Sequence, residues 1–293
     1  MGLVQLPPSF ADQAREFADG TKTPVVPRDA ATVVLLRSGA EGPELYLLRR
    51  QVSMEFAGGM CVFPGGGVDS RDFDSAVAWA GPSPAEWAQR LGTDEAKARA
   101  LVCAAVRETF EESGVLLAGE SEDSVVADTT GADWEADRVA LEKRELPLTE
   151  FLARRGLVLR TDLLGAWSGW LTPIFEPKRY RTWFFVAELP EGQLTRDVST
   201  ESDHVVWVPA LEAATQAEER TILMLPPTYL TCIDVGQHAS PAAVLAEAAG
   251  RTVEMFTPEV VPSTDDSFTL TTPPTAEALL ATRETTYGAN GLR

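Results

Sequence analysis

Three glutamates, Glu108, Glu111 and Glu112, stand at i, i+3 and i+4 in the run Arg107 to Val115, which reads Arg-Glu-Thr-Phe-Glu-Glu-Ser-Gly-Val. On a helix this spacing places all three carboxylates on one face, where like charges repel unless a cation neutralises them. A donor set made only of oxygen suits a hard ion, Mg²⁺ or Mn²⁺, rather than zinc. The bland alternative is a solvated acidic face, a common use of Glu-Glu pairs on helices. Some forty residues upstream stands a glycine corner, Phe63-Pro64-Gly65-Gly66-Gly67-Val68-Asp69. Offered together, the corner and the carboxylates point to metal-assisted hydrolysis of a diphosphate.

These groups need a helix and a turn to hold them. Val102, Val106, Phe110 and Val115 supply a buried side for the glutamate helix, and Gly114 is placed to end it. Thr93 as N-cap, with Asp94 and Glu95 in the first turn, sets its span at about 94 to 113. Ahead of it, Ser83-Pro84-Ala85-Glu86 combines an N-cap, a proline at the first helical position and a capping-box glutamate. With Gly92 as the stop, a short helix near 84 to 91 follows. Trp79 and Trp87 are read as apolar anchors of this segment, with substrate stacking as the alternative. Short apolar or alternating runs predict strands at 32–37, 44–49, 60–63, 181–188 and 204–208. Further helices are expected over Pro209 to about Glu218, Pro227 to about Ile233, and 241 to 249.

The acidic run resembles the box of the Nudix hydrolases: a glycine, five residues, a glutamate, seven residues, then Arg-Glu-apolar-x-Glu-Glu-x-Gly-apolar. Arg107, Glu108, Glu111, Glu112, Gly114 and Val115 match its second half, with Thr109 at a normally aliphatic position. Gly66 fits the opening glycine. The first glutamate has no direct match, since counting back from Arg107 reaches Arg99 and counting forward from Gly66 reaches Asp72. Gly66 to Val115 spans 50 residues, so 27 are inserted into a box that ordinarily has 23. Arg50, Gly59, Phe63, Gly65 and Gly66 also fit the element Leu-Leu-x-x-Arg … Gly-x-x-x-Phe-Pro-Gly-Gly of the coenzyme A diphosphatase branch, although Glu55 stands where a second arginine belongs. The insertion and the long C-terminal part are similar to the peroxisomal acyl-coenzyme A diphosphatases of animals.

The resemblance implies an α/β fold, the Nudix α/β/α sandwich with a mixed β-sheet, here with a helical insertion in the box and a C-terminal extension. It implies an N-terminal arm over 1–27, a hydrolase domain over 28–235 with the insertion at about 73–98, and the extension over 236–293, read as a homodimer contact or an active-site cover. It implies Mg²⁺ or Mn²⁺ on Glu108, Glu111 and Glu112, with Arg107 either orienting a carboxylate or making an ordinary ion pair. A further glutamate in the loop six residues before a late tryptophan is a base in many such enzymes. Glu201 stands six before Trp207, Asp203 is the other candidate, and a solvated turn is the bland reading of both. The implied reaction cuts coenzyme A or acyl-coenzyme A into a phosphopantetheine product and adenosine 3′,5′-bisphosphate. ADP-ribose or NADH offers the same bond, and a non-catalytic ligand sensor is the third reading.

Charge constrains the partner. With 44 acidic against 25 basic residues, the formal charge is −19, which disfavours nucleic acid and anionic membranes. An anionic nucleotide then needs local basic groups. Arg50 beside the glycine corner, with Gly65 and Gly66, is one candidate subsite. Arg179 and Arg181, on one face at the entry to a strand, are another, with edge-strand protection as the alternative. Trp167 and Trp170 are assigned to the core rather than to adenine stacking. Cys61, Cys103 and Cys232 follow no metal spacing and read as reduced small hydrophobes, and two histidines, His204 and His238, make no zinc site or triad. No apolar run suggests a signal peptide or membrane helix, and the ending Gly291-Leu292-Arg293 is not a Ser-Lys-Leu address. The expected location is cytoplasmic.

Overall fold

Alternation along the strand Arg28–Gly39 decides the layers. Val33 and Leu35 enter one buried cluster, and Val34 and Leu36 enter another on the opposite face. A strand with both faces apolar must be covered twice. The computed structural model describes residues 5–6, 12, 14–17, 19–54, 57–262 and 268–287, so Glu55 and the chain end at 291–293 lie outside the described residues.

The principal sheet is built from β1 (Arg28–Gly39), β2 (Gly42–Arg50), β3 (Cys61–Val62), β4 (Gly65–Gly67), β5 (Leu164–Leu171), β6 (Tyr180–Glu188), β7 (Ser202–Pro209) and β8 (Met255–Phe256). Its order is β7-β2-β1-β6-β5-β8, with β3 on β2 and β4 on β1. β1 and β6 run parallel, as do β5 and β8, and the other pairs are antiparallel. The sheet is therefore mixed, as expected. One face carries α1 (Pro84–Leu91), α2 (Glu95–Ser113), α3 (Ala132–Glu142) and α4 (Leu148–Arg155). The other carries α5 (Ala210–Glu218), α6 (Pro226–Val235), α7 (Pro241–Ala248) and α8 (Pro274–Tyr287).

The local signals that predicted α1 operate as read. Ser83 and Glu86 close a reciprocal capping box around Pro84, and Gly92 ends the helix in the left-handed region. Trp87 is fully buried and lies 5.8 Å from the Phe185 ring, so the insertion is anchored in the core. Trp79–Ala80 pairs with Val158–Arg160, a second tie. The cap of α2 differs by one residue from expectation: Asp94, not Thr93, accepts from the Lys97 N–H at 2.9 Å. A carboxylate there answers the helix dipole as well as the free donor.

Among the elements not read from the sequence, three belong to the main layers. β5 runs through Trp167 and Trp170, both buried, and its two glycines, Gly165 and Gly169, obscured the strand pattern. α3 and α4 have weak start signals, Gly131 and Pro147, neither offering a side-chain cap. Beyond residue 236 the chain continues the same body, since β8 extends the sheet and Val244, Ala248, Ala276 and Leu280 enter the second core. Its described helices lie in the layer opposite α2, so they do not cover the glutamates. Among the described residues, no helix is long and apolar enough to cross a membrane.

Candidate active site

α2 is buried along almost its whole length, from Ala98 to Ser113. Its apolar side, including Leu101, Val102, Val106 and Phe110, packs in the first core. Thr109 fits the normally aliphatic position because its hydroxyl donates to the Ala105 carbonyl at 2.7 Å and its methyl is buried. Gly114 ends the helix at φ 75°. A Cβ there would stand 2.8 Å from the Arg196 guanidinium, a second reason for glycine.

The acidic side meets the glycine corner. The Gly65 N–H donates to Glu112 Oε2 at 2.7 Å, and a Cβ on Gly66 would come within 2.5 Å of the Glu108 carboxylate. β4 brings the corner there by pairing Gly65 with Thr32 and Gly66 with Ala31 on β1. Arg107 lies among the carboxylates, with its NH1 donating to Glu108 Oε1 at 2.7 Å and to both Glu111 oxygens at 3.3 Å. Its NH2 also donates to the Gly67 carbonyl at 3.0 Å. The solvated-face alternative therefore does not describe these side chains: Glu111 is 7% and Glu112 9% exposed.

Asp72 resolves the split box. It lies in the single turn Ser70–Phe73 and is 3% exposed. Its Oδ1 accepts from Arg107 Nε at 3.0 Å and its Oδ2 from Arg107 NH2 at 2.9 Å, a two-bond grip on the guanidinium. Arg99, the competing count, lies over the Trp79 ring instead. The signal was present as the spacing from Gly66, but the 27-residue insertion hid which end of the box to count from.

Three carboxylates, Asp72, Glu108 and Glu111, thus bond one guanidinium, and Glu112 stands beside them on the Gly65 N–H. Burial, and then the neighbouring Glu108, pushes Glu111 up to about 8. Burial and Glu108 likewise hold Glu112 well above the usual carboxylate range. Glu108 is raised by burial against the pull of Arg107. Desolvation opposes the charge on Arg107, but the Asp72 hydrogen bonds and the surrounding carboxylates more than offset it. A surplus of buried negative charge built only from oxygen donors fits a hard divalent cation. Among the described residues, no three of these groups converge as metal ligands, so an ion would have to draw them together.

Glu201 and Arg50 complete the neighbourhood. Arg50 NH2 donates to Glu201 Oε2 at 3.0 Å, and the charge of Glu201 raises both Glu108 and Glu112 while that of Arg50 lowers Glu112. Asp203, the other candidate base, is turned to Arg49, which donates to it at 2.6 Å. The remaining basic pair is not brought to the cluster. Arg179 is buried and donates through Nε and NH1 to the carbonyls of Thr172 and Val25, so these two donors are committed to the backbone. Arg181 pairs with Asp29 at 3.4 Å, which Lys97 also holds. The strand they open is central in the sheet, so edge protection does not explain them either. Cys61, Cys103 and Cys232 are buried free thiols, as read from the sequence.

A family model described as the NUDT19 Nudix domain matches residues 80–233, which hold α2 and the Glu201 turn. Acyl-coenzyme A diphosphatase NUDT19 of Xenopus laevis is 27% identical over 221 residues, 64% of this chain and 58% of that protein. The chain thus spans less than two thirds of the length of that curated relative. The crystal structure of a NUDIX hydrolase from Alicyclobacillus acidocaldarius covers 78% of this chain and 99% of its own, at 25% identity and a TM-score of 0.65.

Proposed function

Because the chain belongs to the family of the NUDT19 Nudix domain, we propose that it is a diphosphatase that uses Mg²⁺ or Mn²⁺ to hydrolyse a nucleotide derivative. The substrate class is coenzyme A or acyl-coenzyme A, and the products are a phosphopantetheine species and adenosine 3′,5′-bisphosphate. The observation that carries this reading is the buried surplus of carboxylates closed against the Gly65–Gly67 corner. The substrate is supported by the Arg50 … Phe63-Pro64-Gly65-Gly66 element and by the name of the Xenopus relative. Three free thiols support the cytoplasm as the compartment.

Glu108, Glu111 and Glu112 would hold the cation. When bound, it would neutralise charge on the phosphoryl oxygens and lower the pKa of a bound water. Arg107, gripped by Asp72, orients Glu108 and Glu111 and keeps them from repelling each other apart. The Gly65 N–H fixes Glu112. Gly66 leaves room for the Glu108 carboxylate and a phosphate at the same corner. Arg50 faces the substrate phosphates and holds the Glu201 carboxylate. Glu201 accepts the proton of the attacking water as the new P–O bond forms and the bridging P–O bond breaks.

Incubation with Mg²⁺ or Mn²⁺ and equal concentrations of coenzyme A, acetyl-coenzyme A, ADP-ribose and NADH tests this. Adenosine 3′,5′-bisphosphate from the coenzyme A pair, with little AMP from the others, is the expected product pattern. Dominant AMP release would move the substrate to ADP-ribose or dinucleotides. Absence of any metal-dependent product would remove the diphosphatase reading.

A further inference from the structure

We propose that Glu142 is a positioning residue that holds the Thr200–Glu201 turn in register with the catalytic helix. The inference rests on the reading of Glu201 as the base. Glu142 is the last residue of α3. Its Oε1 accepts from the Thr200 N–H at 3.2 Å and from Thr200 Oγ1 at 2.6 Å. Its Oε2 accepts from Arg138 NH1 at 3.1 Å, and the same NH1 donates to the carbonyl oxygen of Glu111 at 2.7 Å. One buried guanidinium therefore touches the backbone of a proposed metal ligand and the carboxylate that grips the neighbour of the proposed base. Glu135, through three further contacts to Arg138, fixes the guanidinium plane.

The turn is held on its other side as well. Gln51 N–H donates to the Glu201 carbonyl at 2.9 Å, and the Gln51 side chain donates to the Thr200 carbonyl at 2.8 Å. Gln51, the residue after β2, thus fixes the turn to the sheet, and Glu142 fixes it to the helix layer through Arg138. A carboxylate at a helix C-terminus opposes the macrodipole. Helix stability by itself favours another residue there, so the placement points to the contact that Glu142 makes across to Thr200.

Four measurements on the full chain test this. Glu142→Ala is expected to lower kcat by roughly 10- to 100-fold with KM changed less than about twofold, and to leave the melting temperature near that of the parent. Glu142→Gln, which keeps an acceptor oxygen for Thr200, should restore most of that rate. In a Glu201→Gln background, Glu142→Ala should add little further loss, because both act through one carboxylate. Hydrogen exchange at the Thr200 amide should quicken in Glu142→Ala while α2 keeps its protection, a readout independent of catalysis. Unchanged exchange at Thr200 overturns the inference whatever the activity. Faster exchange with a parental rate, or a multiplicative loss in the double variant, overturns the coupling to the base. A parent protein inactive on every substrate would instead remove the functional reading, and the exchange result would still decide whether Glu142 holds the turn.

Discussion

Two buried ionic clusters, one on each side of the sheet, are built to opposite charge balances. In the second layer, Arg283 donates to both oxygens of Glu218 at 2.8 Å and to Thr215 Oγ1 at 2.8 Å, while the Tyr229 hydroxyl donates to Glu218 at 2.6 Å. Among the described residues, one guanidinium meets one carboxylate there. Around Arg107, one guanidinium meets three carboxylates, with Glu112 as a fourth beside them. Balanced burial ties α8 to α5 and α6, whereas the surplus of negative charge is costly to the protein alone and is relieved by a cation or a proton. The difference sets a balanced ion pair that ties helices together against an unbalanced cluster of the kind proposed to hold a cation.

Removing one partner should expose that difference. Arg283→Ala strands Glu218 in the second layer, and a loss of about 3–5 kcal/mol is expected in urea unfolding, with KM unaltered. Loss of metal-dependent turnover in the remaining folded protein would break the comparison. Glu112→Gln removes one surplus charge instead. Turnover should fall by roughly 10²- to 10³-fold, with weaker metal binding by calorimetry and no loss of stability in the metal-free protein. A parental rate would return the acidic cluster to a structural role.

The pH dependence sharpens the contrast. Glu111 has its folded pKa raised from an ordinary 4.5 to about 8. Its contribution to stability is fully present below the unfolded value and is lost as pH rises through the folded one. Metal-free protein should therefore lose stability between these limits, and Glu111→Gln should flatten the slope. Added Mg²⁺ should raise the melting temperature most at the alkaline end, where the carboxylates are free of protons. A smaller effect is expected at Arg179. Since its donors go to Thr172 and Val25, Arg179→Ala should cost about 1–3 kcal/mol of stability without raising KM for phosphorylated substrates. A raised KM with parental stability would bring it back to the substrate.

The carboxylate-bearing helix was legible because its evidence is local. The i, i+3, i+4 spacing of the glutamates, the Ser83–Glu86 capping box and the stop at Gly114 act within a few residues of one another. The same holds for the α/β class, since alternating apolar runs define β1, β2, β6 and β7. β5 escaped because its glycines and tryptophans carry no alternation that survives without the neighbouring strands. α3 and α4 escaped because neither has a side-chain cap. The spacing of Arg179 and Arg181 suggested a shared face, but sequence gave no sign that Arg179 would be buried against two carbonyls.

By itself, the sequence determined the helix that bears the carboxylates, the glycine corner, and the need for a counter-charge, because backbone propensity and i, i+4 geometry are short-range. Only the tertiary structure decided that Asp72 rather than Arg99 grips Arg107, that Glu201 rather than Asp203 faces the cluster, and that Arg138 and Glu142 join α2 to the Thr200–Glu201 turn. Those choices depend on which segments, tens of residues apart, are brought within hydrogen-bond distance, and chain closure over a sheet sets that.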